Sequence, residues 1–390
     1  MNTQSRSLRT NCDIYWIPYG RKSSLRGRPA ATAAGREAAR GGQGMRAVVY
    51  SGYGMMPVLT QVADPACPDD GAVLSVGATG ICRSDWHAWK GHEPVPLPHI
   101  PGHELAGTVV QVGSQVTGWQ AGDRVTVPFV CGCGICEYCL AGDAQVCPWQ
   151  TQPGFTGPGS FAELVAIRAA DANLVALPEA VSFVTAACLG CRFATAFRAV
   201  TAQGRLKAGD WVAVHGCGGV GLSAVMIAAA LGGRVIAVDI AAPALDLARD
   251  LGAEQVIDAG KDTDPAATIT EITGGGARIS IDALGSSVTA VNSVRCLRRR
   301  GRHLQVGLLH GPQSRPPIPM DLVIARELEI LGSHGMAARD YPPMLALVAD
   351  HRLRLDRLIA REISLDQAPA ALTAMDRESP AAGMTVIKVS

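Results

Sequence analysis

The chain has 390 residues, of which 48% are hydrophobic and 18% are charged, and its net charge at pH 7 is +1. This length and apolar content are sufficient for two or three domains with large cores. The balanced charge argues against a general electrostatic attraction to nucleic acid or to an anionic membrane, and we expect neither as a partner. Function must therefore be inferred from local sites.

Residues 1–44 carry seven Arg and one Lys against two acidic residues, with no apolar run and no helical or strand periodicity. This composition is not that of a secretory signal, although it permits an organelle-targeting segment. We predict that residues 1–44 form a disordered extension. An alternative is that translation begins upstream of the true start at Met45.

From Met45 to about residue 130, short β-like runs alternate with turn residues, and the runs are AVVY, AVLSV, GTVVQVG and RVTVPFV. They predict a compact unit made mostly of strands. From about residue 205 to 335, strands (WVAVHG, RVIAVDI, ISIDAL, RHLQVGLL) alternate with helices (SAVMIAAALG, APALDLARDLGA, VTAVNSVRCLRR). That alternation predicts a parallel sheet covered by helices. A helix (YPPMLALVADHRL), a polar amphipathic segment and a strand (TVIKVS) follow.

Residues 211–233 contain no charged side chain and are numerous enough to span a bilayer. Four glycines near one end and the charged neighbours Asp210 and Arg234 argue against a membrane helix. We predict instead a buried strand, a glycine turn and a buried helix.

The glycine turn follows a strand and precedes an Ala-rich helix, the context of a dinucleotide-binding G-x-G-x-x-G motif. The first glycine permits the turn, the second admits the pyrophosphate, and the last allows close packing of helix on strand. Asp239 ends the next strand, where its carboxylate can accept the adenosine ribose hydroxyls, and no basic residue occurs among the next five. NAD is therefore favoured over NADP, the alternative being a turn without a ligand. The predicted contacts are Gly216, Gly218, Gly219, Val220, Gly221 and Asp239.

Five of the twelve cysteines fall between residues 131 and 147. Cys133, Cys136, Cys139 and Cys147 offer four soft ligands within one loop, and this pattern predicts a structural Zn²⁺ site. Cys131 is an alternative first ligand, which we assign as a spare thiol. Metal-binding thiolates favour a reducing compartment, and we expect a cytoplasmic protein.

Metal-ligand residue types also occur in three separate segments, GICRSDWH at 80–87, PGHE at 101–104 and LGCR at 189–192. With these segments, the four-Cys loop, the sequence GCGGVG and Asp239, the chain resembles the zinc-containing alcohol dehydrogenases of the medium-chain dehydrogenase/reductase superfamily. The resemblance extends from Met45 to Ser390.

This resemblance implies that Cys82, His103 and Cys191 hold a catalytic zinc whose fourth position is open to water or substrate. It also implies that Glu104 is a nearby or transient ligand and that Asp85 orients His103. Two zinc ions per chain are therefore expected.

Zinc is needed because an alcohol is too weak an acid to lose its proton at neutral pH, and hydride then passes to the nicotinamide. By resemblance, Ser84 and His87 form the proton relay, Arg83 binds the pyrophosphate, and Val306 contacts the cofactor. Two simpler interpretations remain open, in which Ser84 caps a turn and His87 is a solvated loop residue.

Four aromatic residues fall where the family lines a restricted apolar pocket, although each could equally be core packing. We therefore expect small uncharged primary, or secondary, alcohols and the corresponding aldehydes or ketones as substrates. The aromatic residues are Trp86, Trp89, Phe129 and Phe155.

Two positions depart from the family pattern. Met384 stands where many relatives carry a second phosphate-binding Arg, and Ala244 stands at a position near the adenosine that is usually basic. Both departures predict weaker NAD binding.

Three other functions are considered. Relatives acting on polyols or amino alcohols often have Glu at the third zinc ligand, where this chain has Cys191. The complete ligand set argues against a zinc-free quinone or enoyl reductase. The relay residues argue against a non-enzymatic redox sensor that carries NAD and zinc.

The predicted fold is α/β, with a GroES-like β-rich catalytic domain (45–190 and 336–390) that carries the structural-zinc lobe at 131–147. A doubly wound Rossmann domain (191–335) is inserted into it, and the active site lies in the cleft. The resemblance implies a homodimer or homotetramer.

Overall fold

The computed structural model describes residues 44–377 and 382–389. The predicted extension of residues 1–44 therefore lies, apart from Gly44, outside the described residues. The strands are β1 (Met45–Val49), β2 (Val58–Val62), β3 (Ala72–Ile81), β4 (Glu104–Val112), β5 (Arg124–Thr126), β6 (Leu164–Ile167), β7 (Val175–Ala176), β8 (Trp211–His215), β9 (Arg234–Asp239), β10 (Gln255–Asp258), β11 (Ala277–Asp282), β12 (Leu297–Gln305), β13 (Glu329–Gly332), β14 (Ile359–Ser364) and β15 (Met384–Lys388).

Helices are short in the first part of the chain and longer among the parallel strands. They are α1 (Arg83–Lys90), α2 (Glu137–Ala141), α3 (Ala170–Asn173), α4 (Phe183–Ala187), α5 (Ala194–Arg198), α6 (Gly219–Ala230), α7 (Ala242–Asp250), α8 (Pro265–Thr273), α9 (Ser287–Arg295), α10 (Met320–Arg326), α11 (Tyr341–Ala349) and α12 (Ala368–Thr373).

A seven-stranded sheet contains both early and late strands of the chain. Its order is β14-β15-β3-β4-β5-β7, and β6 also pairs with β3. The centre of this sheet is β3, which is almost wholly buried and whose sequence, AVLSVGATGI, is small and apolar except for Ser75 and Thr79. Gly80 of β3 pairs with Glu104 of β4. This register brings the end of β3 beside the start of β4, where Cys82 and His103 lie.

The second large sheet has six strands, all parallel, in the order β10-β9-β8-β11-β12-β13. Counted along the chain this order is 3-2-1-4-5-6, the doubly wound arrangement in which the topology reverses between β8 and β11. Ligands bind such sheets at the carboxyl ends of the strands beside that reversal. The predicted α/β fold class is therefore confirmed.

The uncharged stretch of residues 211–233 forms β8, a glycine turn and α6, as predicted. Among the described residues no helix is both long and apolar enough to cross a membrane. The high hydropathy of residues 211–233 therefore comes from a buried strand and a buried helix that belong to one core.

Two local predictions differ from the structure. The helix predicted as VTAVNSVRCLRR ends at Arg295, because Leu297 pairs with Ala277 and begins β12. Helix α1 was not predicted, because only three of its eight residues, Trp86, Ala88 and Trp89, are apolar. It is stabilised at its ends instead, because Asp85 accepts a hydrogen bond from the Cys82 backbone N–H at 2.9 Å and Gly91 ends the helix with φ = 79°.

The largest hydrophobic core joins the two sheets. Residues from both sheets belong to it, including Ala78 and Ala106 of one sheet and Val212 and Val214 of the other, together with residues of α5 and α6. The predicted boundaries near residues 190 and 336 stay a prediction.

Candidate metal and cofactor site

Three predicted ligands converge between the sheets. Cys82 follows β3, His103 precedes β4, and Cys191 lies in a single π-helical turn, Leu189–Phe193. One ligand atom from each side chain lies within 4.8 Å of the other two. Two sulfurs and an imidazole nitrogen around a common point are a donor set that Zn²⁺ prefers.

The ring of His103 is oriented by Asp85. Its Nδ1 lies 3.0 Å from Asp85 Oδ1, and the same carboxylate accepts the backbone N–H groups of Cys82 and Gly102 at 2.9 and 3.0 Å. The other ring nitrogen, Nε2, is buried and has no hydrogen-bond partner. A buried nitrogen without a partner is costly unless it binds something, so its orientation toward two thiols fits a metal ion.

The electrostatic environment favours the ligand form of Cys82. A hydrogen bond from Cys191 lowers the pKa of the Cys82 thiol, against the opposing effect of burial and with further help from His103, and the same hydrogen bond raises the pKa of the Cys191 thiol. A thiolate is the form that binds metal.

Glu104 is not part of this three-residue group. Its buried carboxylate is held by Arg192, whose Nε donates to both oxygens at 3.0 Å and whose Nη2 also donates to Oε2. The Arg192 backbone N–H adds a further hydrogen bond of 2.9 Å. In this structure Glu104 is thus a partner of Arg192 rather than a ligand.

The four cysteines of the loop also converge. Their ligand atoms lie within 4.8 Å of one another, and the Cys136–Cys147 and Cys133–Cys139 sulfur separations are 3.7 and 4.0 Å. A tetrahedron with Zn–S bonds of about 2.3 Å requires S–S separations of about 3.8 Å. Burial disfavours the Cys133 thiolate, but hydrogen bonds from the backbone of Ile135 and Cys136 outweigh it and lower the pKa of Cys133 to about 7. The loop therefore fits a structural zinc.

Cys131 stands apart from this group. It is buried in the apolar core beneath the seven-stranded sheet, and burial raises its pKa to about 12. Its thiol donates to the carbonyl of Pro128. This placement supports assigning Cys133 as the first ligand of the loop.

The glycine turn and Asp239 lie together at the carboxyl ends of β8 and β9. Gly216 has φ = 92°, and a Cβ at Gly221 would lie 1.8 Å from the Gly216 carbonyl oxygen, so glycine is required at both positions. A Cβ at Gly218 would meet nothing within 4 Å, which leaves open space at the start of α6. Asp239 accepts the backbone N–H of Cys217 at 2.6 Å. A pyrophosphate and a ribose could occupy these adjacent positions.

The remaining predicted residues are less closely grouped. Ser84 Oγ lies 3.9 Å from Cys82 Sγ, and the half-buried ring of His87 lies on the same helix. Arg83 is exposed and donates to the Met375 carbonyl at 2.7 Å. Val306 follows β12, and its N–H bonds the carbonyl of Asp282.

The four aromatic residues divide into two pairs. Phe155 and Phe129 flank the metal group, with ring centroids 4.9 and 6.1 Å from that of His103. Trp89 is buried and donates to the Met55 carbonyl, whereas Trp86 donates to Asp376. Trp89 is therefore core packing.

Arg192 was not predicted as a site residue, although Cys191 beside it was. Two signals point to this residue. A cation directly follows the predicted metal ligand Cys191, and Met384, which is fully buried here, stands at the position where relatives carry a phosphate-binding Arg. Ala244, the other departure, is also buried, on α7.

Two family models match the chain. The model described as alcohol dehydrogenase GroES-like domain covers residues 68–179, and the one described as zinc-binding dehydrogenase covers residues 219–350. An alcohol dehydrogenase of Geobacillus stearothermophilus is 34% identical over 313 residues, which are 80% of this chain and 90% of that protein. The chain belongs to the zinc-dependent alcohol dehydrogenase family.

Other members of this family show the range of substrates within it. A sorbitol dehydrogenase of Halalkalibacterium halodurans is 31% identical over 83% of this chain and 94% of that protein. The solved alcohol dehydrogenase TADH from Thermus sp. ATN1 superposes with a TM-score of 0.82 at 30% identity, covering 89% of this chain and all of that one. The chain is thus an oxidoreductase of the alcohol and polyol dehydrogenase family.

Proposed function

We propose that this protein is an NAD-linked alcohol dehydrogenase that interconverts small uncharged alcohols with aldehydes or ketones. The observation that carries this proposal is His103 Nε2, a buried nitrogen without a partner among the thiols of Cys82 and Cys191. A zinc ion held by these three residues supplies a Lewis acid that lowers the pKa of an alcohol. Bound NAD supplies the hydride acceptor.

The residues of the chain would then bind, orient and deprotonate the alcohol. Phe129 and Phe155 would offer apolar surface beside the metal group. Ser84 Oγ lies 3.9 Å from Cys82 Sγ. It would therefore be near the hydroxyl of an alcohol held beside Cys82, and it could accept the proton of that hydroxyl. His87, on the next turn of α1, would carry the proton toward the surface.

NAD is proposed rather than NADP because of Asp239. Its carboxylate lies beside the glycine turn, and none of the five residues that follow it, 240–244, carries a positive charge. A 2′-phosphate placed there would face a negative charge without a compensating cation.

Polyols are the second candidate substrates, because a sorbitol dehydrogenase is among the relatives. Against them stands Cys191, since polyol relatives often have Glu at this ligand. We also propose a cytoplasmic homodimer or homotetramer, to be tested by fractionation of cells and by light scattering.

Elemental analysis combined with a substrate panel tests the proposal. We expect two zinc ions per chain, and faster NADH formation with ethanol, 2-propanol or benzyl alcohol than with sorbitol. Faster oxidation of sorbitol would favour the second candidate, and tighter binding of NADP would contradict the cofactor assignment. The Cys82→Ala variant should contain one zinc and show no turnover.

A matched control is Cys188→Ala. Cys188 is fully buried near Cys191 but does not belong to the metal group. This variant should keep both zinc ions, so a single zinc in both variants would contradict the ligand assignment.

A further inference from the structure

The side chain of Arg192 connects the metal group with the glycine turn. The residue is 7% exposed, and Nε and Nη2 of its guanidinium bind the carboxylate of Glu104. Glu104 directly follows the ligand His103, and Arg192 directly follows the ligand Cys191. Each member of this ion pair is therefore the chain neighbour of a predicted metal ligand.

The other end of Arg192 lies against the first residue of α6. A Cβ at Gly219 would lie 2.5 Å from Arg192 Cδ and 3.3 Å from Nη1, so the arginine occupies the space that a side chain at this position would need. Nη1 is the guanidinium nitrogen that makes no hydrogen bond to Glu104. It therefore lies beside the helix end where an anion is favoured by the orphan N–H groups.

Gly80 provides space for the pair on the opposite side. A Cβ there would lie 2.5 Å from Glu104 Oε2 and 3.1 Å from Arg192 Nη2. The side chain of Arg192 therefore lies against two glycines, Gly80 on β3 and Gly219 at the start of α6. The position of the cation is set by backbone on two sides.

The two positions at which the family resemblance predicts a phosphate-binding arginine are less suited to bind the pyrophosphate. Arg83 donates to the carbonyl of Met375 and stacks on Trp86, with its guanidinium carbon 5.0 Å from the ring centroid. Met384 has no charge and is fully buried. A dinucleotide that enters the site would bring a negatively charged pyrophosphate to the turn, and a planar guanidinium is well suited to bind it.

On the basis of the proposed function, we propose that Arg192 binds the pyrophosphate of the dinucleotide through Nη1 while Nε and Nη2 retain Glu104. This arginine then replaces the phosphate-binding residue that is missing at position 384. It also joins the cofactor anion to the residues next to two metal ligands. Cofactor affinity is therefore higher than Met384 and Ala244 alone would predict.

The test compares three ligands by calorimetry on the zinc-loaded protein. NAD and ADP-ribose contain the pyrophosphate, whereas adenosine contains only the nucleoside. Arg192→Lys keeps a positive charge for Glu104 but removes the planar fork. We expect this variant to bind NAD and ADP-ribose about 10- to 100-fold more weakly than the wild type, the loss typical of one charge-assisted hydrogen bond. Adenosine should bind both proteins equally.

Arg302→Lys is the matched control, because Arg302 is also a buried arginine paired with a glutamate, Glu329, and this variant should leave NAD affinity unchanged. The double variant Arg192→Met with Glu104→Gln leaves no buried carboxylate unpaired, so it tests the same contact if Arg192→Lys fails to fold. Zinc content is measured on every variant, and two ions per chain show that the site is intact.

Equal NAD binding by wild type and Arg192→Lys would overturn the inference, as would an equal loss of adenosine binding, which indicates a purely structural role. A wild-type protein that binds neither NAD nor NADP would instead contradict the proposed function itself. The two failures are therefore distinguishable.

Discussion

His87 and His92 form a pair of imidazoles at the outer end of α1. Their Nδ1 atoms are 3.0 Å apart, and His92 is exposed. Burial, with smaller contributions from His310 and His92, lowers the pKa of His87 to about 4. His87 is therefore neutral at physiological pH, the form in which a ring nitrogen is free to accept a proton.

His87→Ala should slow alcohol oxidation by about tenfold or more, with the largest effect at low pH, where hydroxide is too scarce to replace the relay. Imidazole buffer should partly restore the rate. Steady-state kinetics from about pH 5.5 to 9 would measure both effects. His92→Ala, which leaves the first acceptor in place, should have a smaller effect, and an unchanged pH profile in His87→Ala would remove His87 from the mechanism.

The turn between β8 and α6 contains glycines required for different reasons. At Gly221 a Cβ collides with the backbone, whereas at Gly218 it meets open space. Gly218 also has φ = −78°, which any residue can adopt. One position is therefore constrained by the fold and the other by the ligand we propose.

Gly218→Ala should change the free energy of unfolding by less than about 1 kcal/mol, since only a modest backbone effect is involved. NAD affinity should fall by at least about tenfold, because a methyl group would occupy the approach to the pyrophosphate. Gly221→Ala should lower stability by about 3 kcal/mol or more, above the cost typical of overpacking, because the added carbon would lie 1.8 Å from a backbone oxygen. Urea denaturation and calorimetry distinguish the two, and normal NAD binding by Gly218→Ala would contradict the assigned cofactor position.

The four-Cys loop gives a second comparison within one element. Cys139→Ser should remove the structural zinc and leave one ion per chain, because three cysteines no longer complete the tetrahedron. Cys131→Ala should retain two ions and lose stability only through a packing defect. Zinc analysis and limited proteolysis of the loop check both variants, and loss of zinc from Cys131→Ala would reassign the first ligand.

The sequence predicted long-range groupings better than some local elements. The parallel sheet followed from apolar alternation, and the metal groups followed from residue type, spacing and family resemblance. Helix α1 has too few apolar residues for a periodic signal, and Leu297 leaves its predicted helix only because β11 offers it a partner. The contact of Arg192 with Gly219 joins the turn Leu189–Phe193 to the start of α6, so no local pattern could reveal it.

At the scale of the whole molecule, His215 makes the free energy of unfolding depend on pH. It is buried at the end of β8, and burial, with a smaller effect of His303, lowers its pKa to about 3 from 6.5. The unfolded chain binds a proton below about pH 6.5 and the folded chain does not, so stability is complete above that pH and is lost as the pH falls toward 3. Between about pH 6.5 and 4.5 the loss should be about 2–3 kcal/mol.

His215→Gln should reduce the slope of unfolding free energy against pH, because Gln does not titrate. Urea denaturation of both proteins across this range measures the difference, and the metal ligands contribute equally to each. Identical slopes would show that His215 is not responsible.

The pairing of β15 with β3 affects the order in which the metal groups can form during translation. Thr385 of β15 pairs with Ile81, the residue before Cys82. The four-Cys loop is complete once residue 147 has been synthesised, whereas β15 emerges from the ribosome much later. We therefore expect the loop to acquire zinc on the nascent chain and the Cys82 group to acquire it only after β15 has docked. During that interval the thiols of Cys82 and Cys191 lack their final enclosure and are vulnerable to oxidation.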